Sequence, residues 1–177
     1  MFFTETPLQG AYLISLEKRE DKRGYFARTF CTQEFARHKL ETKFVQANIS
    51  FSAKSGLIRG MHYQCGEHAE VKLVSCVRGS IYDVIVDLRK ESPTYMKWFG
   101  AELSDHNGHL MYVPKGFAHG YQALSDDTFV HYMVSAYYSP DAEDGIKYNE
   151  PAIGIKWPIA VTDISQKDAE WPLMELR

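Results

Sequence analysis

Along most of the chain, apolar and polar residues alternate in short runs, each bounded by Gly, Pro, Ser, Asp or Asn. Strands are expected over residues 10–14, 25–30, 44–51, 57–64, 71–77, 81–88, 98–103, 110–113, 120–124 and 129–138, because period-two patterning between turn residues is what a half-buried strand requires. The charged turn before Tyr25 ends in Gly24, which supplies permissive backbone. One short helix is expected over residues 33–38 with Thr32 as its N-cap. The tail from Asp141 onward has little periodicity and reads as an irregular cover. Many short strands with almost no helix predict a mainly β fold, a sandwich or a barrel. Of these the jelly-roll barrel is preferred, with an N-terminal strand extension and a few short helices.

At 177 residues the chain is long enough for one full core, so residues 1–177 are expected to form a single domain. Apolar residues at 45% and charged residues at 24% give a globular balance. With a net charge of −3 and basic residues scattered, there is no stripe for a nucleic-acid backbone, and no apolar run is long enough to span a membrane. A cluster of Arg and Lys remains free to hold a small phosphorylated molecule. The opening residues lack the pattern of a secretory signal, so a cytoplasmic location is expected. Cys31, Cys65 and Cys76 are far apart, which predicts free thiols, with Cys76 in the core.

Candidate chemistry concentrates in Leu57-Ile58-Arg59-Gly60-Met61-His62-Tyr63-Gln64 and in Lys72, which stands in the apolar run Val71-Lys72-Leu73-Val74. Charges in such sequence are costly to bury without partners. His62 and Gln64 share a strand face and point inward, whereas strict alternation puts Arg59 on the other face unless Gly60 bulges the strand. Spacing alone leaves His62 open between a core histidine and a base, Lys72 between rim exposure and an anion partner, and Tyr132 between a core tyrosine and an acid. Gly108-x5-Pro114-x-Gly116-x2-His119 matches the second cupin motif up to its final Asn, replaced by Ala123. Gly56-x5-His62-x-Gln64 resembles the first, with Gln64 in place of a metal-binding His. No Glu follows at the usual spacing, since positions 68 and 69 are His68 and Ala69, so two residues that a divalent metal would want are missing, and no metal or other cofactor is expected.

Six segments, namely Asp21-Lys22-Arg23-Gly24-Tyr25-Phe26, Phe44-Val45-Gln46-Ala47-Asn48, the Ile58 to Gln64 run, Val86 to Thr94, Pro114 to Gly120 and Tyr137-Tyr138-Ser139-Pro140, resemble the dTDP-4-dehydrorhamnose 3,5-epimerase family. So do Gly154 to Pro158 and Ser165-Gln166-Lys167-Asp168, and the resemblance covers nearly the whole chain in order. It implies a metal-free cupin homodimer acting on a nucleotide-linked 4-keto-6-deoxyhexose. By position, His62 would be the base, supported by Asp168, Lys72 would stabilise the C4 oxyanion and Tyr132 would return the proton. His119 would line the sugar pocket, with Gln64 in the same group of binding residues. Arg59 would hold the pyrophosphate, with Ser165 and Lys167 as weaker candidates, and Tyr138 would stack on the base. Arg23, Phe26, Gln46 and Asn48 would complete the nucleotide pocket, some of them across the dimer.

The family pattern has Glu where this chain has Arg28. That acid meets a thymine ring NH, whereas arginine only donates, so a base offering acceptors, such as cytosine or guanine, suits Arg28. Met133 and Ala136 stand where Lys and Asp are usual, and His131 is also unusual, which keeps inversion at one carbon open beside inversion at both. Competing readings are a ketoisomerase on the same substrate class, a cupin that only binds a sugar nucleotide, and a metal-dependent oxygenase, disfavoured by Gln64.

Overall fold

The computed structural model describes residues 1–174. Two sheets face each other. The first holds β1 (Phe2–Glu5), β2 (Tyr12–Ser15), β5 (Gln46–Ser52), β7 (Lys72–Arg78), β10 (His109–Val113) and β12 (Thr128–Val134), in the order β1-β2-β10-β7-β12-β5. The second runs β13-β6-β11-β8-β9 and is built from β6 (Leu57–Gln64), β8 (Ser80–Asp87), β9 (Trp98–Ser104), β11 (Phe117–Ala123) and β13 (Glu143–Gly145). A hairpin of β3 (Arg19–Asp21) and β4 (Gly24–Phe26) stands apart from both. This is the expected cupin-type jelly roll: from β5 to β13 the chain switches sheets at every connection except β8 to β9.

Side chains from the facing surfaces, among them Val74, Ile81, Ile85, Met111 and Val130, form one buried cluster. Neither sheet leaves its outer face wholly bare. Phe35, fully buried on α1 (Thr32–Arg37), packs with Ile14, Leu73 and Leu110 behind the first sheet. Ile146, Ile153 and Ile155 of the tail cover Met61, Val84 and Ala118 behind the second. β8 is therefore buried on both sides along most of its length, which explains its near-continuous apolar sequence.

Several details depart from expectation, among them the strand expected over residues 129–138, which stops at Val134. The helix has Cys31, not Thr32, as its N-cap, with no side-chain capping bond. Its first turn is tied instead through Glu34, whose carboxylate accepts from the Met1 ammonium at 3.0 Å and from Arg28 at 3.1 Å. The strand expected to reach Phe30 stops at Phe26, because the Phe30 ring turns in to meet Phe35 and Phe44 edge to face. The tail is more than a cover. Its β13 pairs antiparallel with residues 62–64 of β6, and β14 (Asp163–Ile164) pairs parallel with Leu57 and Ile58.

Asp87 ends β8 with a fully buried carboxylate that accepts from Arg89, Ser92 and Thr94. Burial alone would raise this carboxyl, but the hydrogen bonds from Arg89, then Ser92 and Thr94, outweigh it and bring it to about 2. Its folded value lies below its unfolded one, so its contribution is complete above pH 4 or so and is lost as pH falls toward about 2. Asp87→Ala is expected to cost about 2 kcal/mol in urea unfolding at neutral pH, and to flatten the acid limb of stability below pH 4 or so relative to the parent.

Candidate active site

Two hollows open between the sheets, of about 450 and 340 Å³, and share a wall of His62, Lys72 and Tyr132. The larger is also lined by Arg59, His119, Ser165, Lys167 and Asp168. Gln46, Asn48, Gln64 and Tyr138 line the smaller.

Strict alternation would separate Arg59 from His62. The pairing of β6 with β11 slips between them: His119 lies opposite His62 and Tyr121 opposite Arg59, so three steps on β6 match two on β11. That β-bulge turns both side chains into the same cavity. It is possible because two glycines meet there. Gly60 has φ +128, and a Cβ on Gly120 would lie 2.7 Å from both the Arg59 carbonyl oxygen and Met61 Sδ.

His62 Nε2 donates to Asp168 Oδ1 at 2.6 Å, leaving Nδ1 as the ring nitrogen able to take a proton. Asp168 sits on α2 (Gln166–Glu170), and its other oxygen accepts the Gly60 N–H at 3.1 Å. Ser165 caps this helix by accepting the Asp168 N–H. Burial would raise Asp168, yet the bond from His62, its charge, and the Gly60 and Ser165 donors hold the carboxyl below its usual value. Trp171 fills the space left by Gly145, the residue opposite His62 on β13, and meets the His62 ring edge to face at 6.4 Å between centroids.

A second imidazole–carboxylate pair stands beside the first. His119 Nε2 donates to Asp83 Oδ1 at 2.7 Å, and Asp83 is fully buried with no partner for its Oδ2 among the described residues. Burial, only partly offset by His119 and Lys72, raises its carboxyl. Sequence reasoning missed Asp83, although one acid in the apolar run Ile81-Tyr82-Asp83-Val84-Ile85-Val86 was a readable anomaly. It also missed Glu70, which pairs with Lys72 at 2.9 Å, and Glu143, which accepts from Tyr138 and Lys167 at 2.7 and 2.6 Å.

Arg59 reaches Phe51 O at 2.9 Å, and Gln46 accepts the Tyr138 N–H at 2.9 Å. The Gln64 amide is engaged within the protein: it accepts from Ser139 N–H and donates toward Glu70 and the His68 and Tyr137 carbonyls. Three expected residues lie away from these hollows. Arg23 forks onto Asp21 in the β3–β4 hairpin, while Phe26 and Arg28 line a small recess near Met1 and Glu34.

The arrangement offers an imidazole base, a lysine and a tyrosine converging on one space, with a basic rim at Arg59 and Lys167. A family model described as dTDP-4-dehydrorhamnose 3,5-epimerase matches residues 5–175. The chain belongs to the dTDP-4-dehydrorhamnose 3,5-epimerase family. It is accordingly an isomerase of the epimerase class. A dTDP-4-dehydrorhamnose 3,5-epimerase of Methanothermobacter thermautotrophicus is 46% identical, over 98% of this chain and 95% of its own length. Among solved structures, the Bacillus anthracis dTDP-4-dehydrorhamnose 3,5-epimerase with TDP and PPi bound is 40% identical, with a TM-score of 0.94 over 98% of this chain and 99% of that one. A Legionella pneumophila dTDP-6-deoxy-D-glucose-3,5-epimerase in complex with dTDP-4-keto-L-rhamnose gives 36% and 0.92, over 97% and 92% of the two chains.

Since the bulge sets the aim of His62, Gly120→Ala is expected to lower kcat by about a hundredfold, the scale of an ångström misplacement. The added methyl would also cost about 2 kcal/mol of stability through overpacking, read by thermal unfolding.

Proposed function

We propose that residues 1–177 act as one epimerase domain that inverts C3 and C5 of a dTDP-linked 4-keto-6-deoxyhexose. The observation that carries this reading is the placement of His62 on β6 and Tyr132 on β12. These strands belong to opposing sheets but wall one cavity, as a base and an acid must if a proton is to leave one face of a sugar and return to the other.

The protons on C3 and C5 are acidic because each is alpha to the C4 carbonyl. His62 Nδ1 takes one, and Asp168 steadies the imidazolium that results. The electron pair moves to the C4 oxygen, where the Lys72 ammonium offsets the charge. Tyr132 then delivers its hydroxyl proton to the opposite face of the same carbon, and both side chains reset by exchange with solvent. Burial first, then Glu70 and Tyr121, raise the Tyr132 hydroxyl against the pull of Arg59, so it is a proton donor at neutral pH. His119, oriented by Asp83, bonds the sugar.

Arg59, Lys167 and Ser165 hold the diphosphate, while Gln46, Asn48 and Tyr138 form the nucleoside end. The exposed hairpin carrying Arg23 and Phe26, with Arg28 beyond it, reaches across a homodimer to close the partner's pocket; Phe26 is 65% exposed in the single chain. The enzyme works in the cytoplasm on a soluble sugar nucleotide.

In heavy water with dTDP-4-keto-6-deoxyglucose, deuterium is expected at both C3 and C5 by NMR. Uptake at one carbon would reduce the assignment to a mono-epimerase, and tight binding without uptake would make the protein a binding module. Faster exchange with the CDP- or GDP-linked sugar would show that Arg28 selects a different base. His62→Asn is expected to slow exchange about a thousandfold, and Tyr132→Phe to slow product formation about a hundredfold. Light scattering is expected to give twice the chain mass, and Arg23→Ala to raise KM with kcat little changed.

A further inference from the structure

Glu70 is a nearly buried carboxylate inside the cavity that takes no proton and touches no sugar atom in the reaction outlined above. Its side chain is 9% exposed, and one oxygen lies 2.9 Å from Lys72 Nζ, itself 12% exposed. The other accepts from Gln64 Nε2 at 3.0 Å. Gln64 in turn receives the Ser139 N–H at 2.7 Å, so a continuous set of bonds runs from the Tyr137–Ser139 loop to the lysine.

The strand register brings this carboxylate to the acid as well as to the lysine. Lys72 lies opposite Val134 and Val74 opposite Tyr132, which makes Lys72 and Tyr132 diagonal neighbours on the inner face of one sheet. Glu70, two residues before Lys72, lines the smaller hollow together with both.

We propose that Glu70 is a positioning residue with two separable roles: it anchors the Lys72 ammonium where the C4 oxyanion develops, and its negative charge, on the same wall as Tyr132, extends how far into alkaline pH that hydroxyl can serve as donor. The proposal rests on the parts assigned above to Lys72 and Tyr132. The hollows that Tyr132 lines are also walled by Lys72 on β7, Arg59 and His62 on β6, Tyr121 and His119 on β11, Glu143 on β13, Asp163 on β14, Lys167 and Asp168 on α2, Tyr63 and Tyr138, and Glu70. After burial, Glu70 contributes most to the upward shift of the hydroxyl, ahead of Tyr121 and against Arg59. A cation held by a fixed acceptor also keeps a single geometry, so less reorganisation is needed when the enolate forms.

Two substitutions separate the roles. Glu70→Gln keeps an acceptor for Lys72 and removes the charge, while the Gln64 amide retains the His68 and Tyr137 carbonyls. Glu70→Asp keeps the charge and shortens the reach to the lysine. The Tyr132 titration is followed by NMR on protein carrying ring-labelled tyrosine, assigned with Tyr132→Phe, and the pH profile of kcat is measured alongside.

Glu70→Gln is expected to move the Tyr132 midpoint down and to pull the alkaline limb of kcat the same way, a roughly two- to fivefold greater loss near pH 10 than in the parent. In Glu70→Asp both are expected to stay near their parental positions while plateau kcat drops roughly tenfold. A Tyr132 midpoint unmoved by Glu70→Gln, or the same response from both variants, would overturn the proposal. The titration needs no substrate, so a protein inactive on 4-keto sugars would count against the epimerase reading and leave the Glu70 measurement standing. Should Glu70→Gln fail to fold, a Glu70→Asp protein with unchanged plateau kcat would overturn the anchoring role by itself.

Discussion

The contact on which the site depends is the 2.6 Å bond between His62 and Asp168, made across 106 residues of sequence. The same carboxylate also takes the Gly60 N–H, so one buried charge fixes both the His62 ring and the bulge that aims it. An aspartate this enclosed is stable as an anion only while those donors stay in place. The tail is therefore committed to the barrel. β13 and β14 add to the free edge of β6, Ser165 starts the short helix, and Trp171 seats in the notch at Gly145.

A second constraint is charge. Lys72, His62, His119 and Asp83 are all drawn into a space that water only partly reaches, where an unmatched ion costs several kcal/mol. The fold answers with pairs: Lys72 with Glu70, His62 with Asp168, His119 with Asp83. Each cationic or basic group has an acid against it, so none of these charges is left without a partner. The pairing also fixes chemistry. A carboxylate on Nε2 selects the histidine tautomer, and a carboxylate against the Lys72 ammonium holds it in one place.

Much of this was legible beforehand. The run Leu57 to Gln64 was predicted as a strand with the bounds it has, because period-two patterning and the Gly56 turn leave little choice. His62, Lys72 and Tyr132 stood out as polar groups in apolar strands, and the structure brings them to one cavity. Asp83 carried the same signal and was overlooked. Glu70 was harder, since a glutamate beside a loop looks like solvated surface until the strand turns inward. The end of β4 and the cap of α1 depended on where Phe30 and the chain start pack, which no local pattern encodes.

The sequence by itself determined the strand periods, the β-rich class, the family and which polar side chains stand out in apolar strands, because each of these lies in residue type and short spacing. Tertiary structure decided the rest. Whether Arg59 shares a wall with His62 depended on Gly60 meeting Gly120, a contact between strands about sixty residues apart. The place of Asp168 depended on a tail whose own sequence has no period, and which takes its form only from the open edge of β6 that it completes.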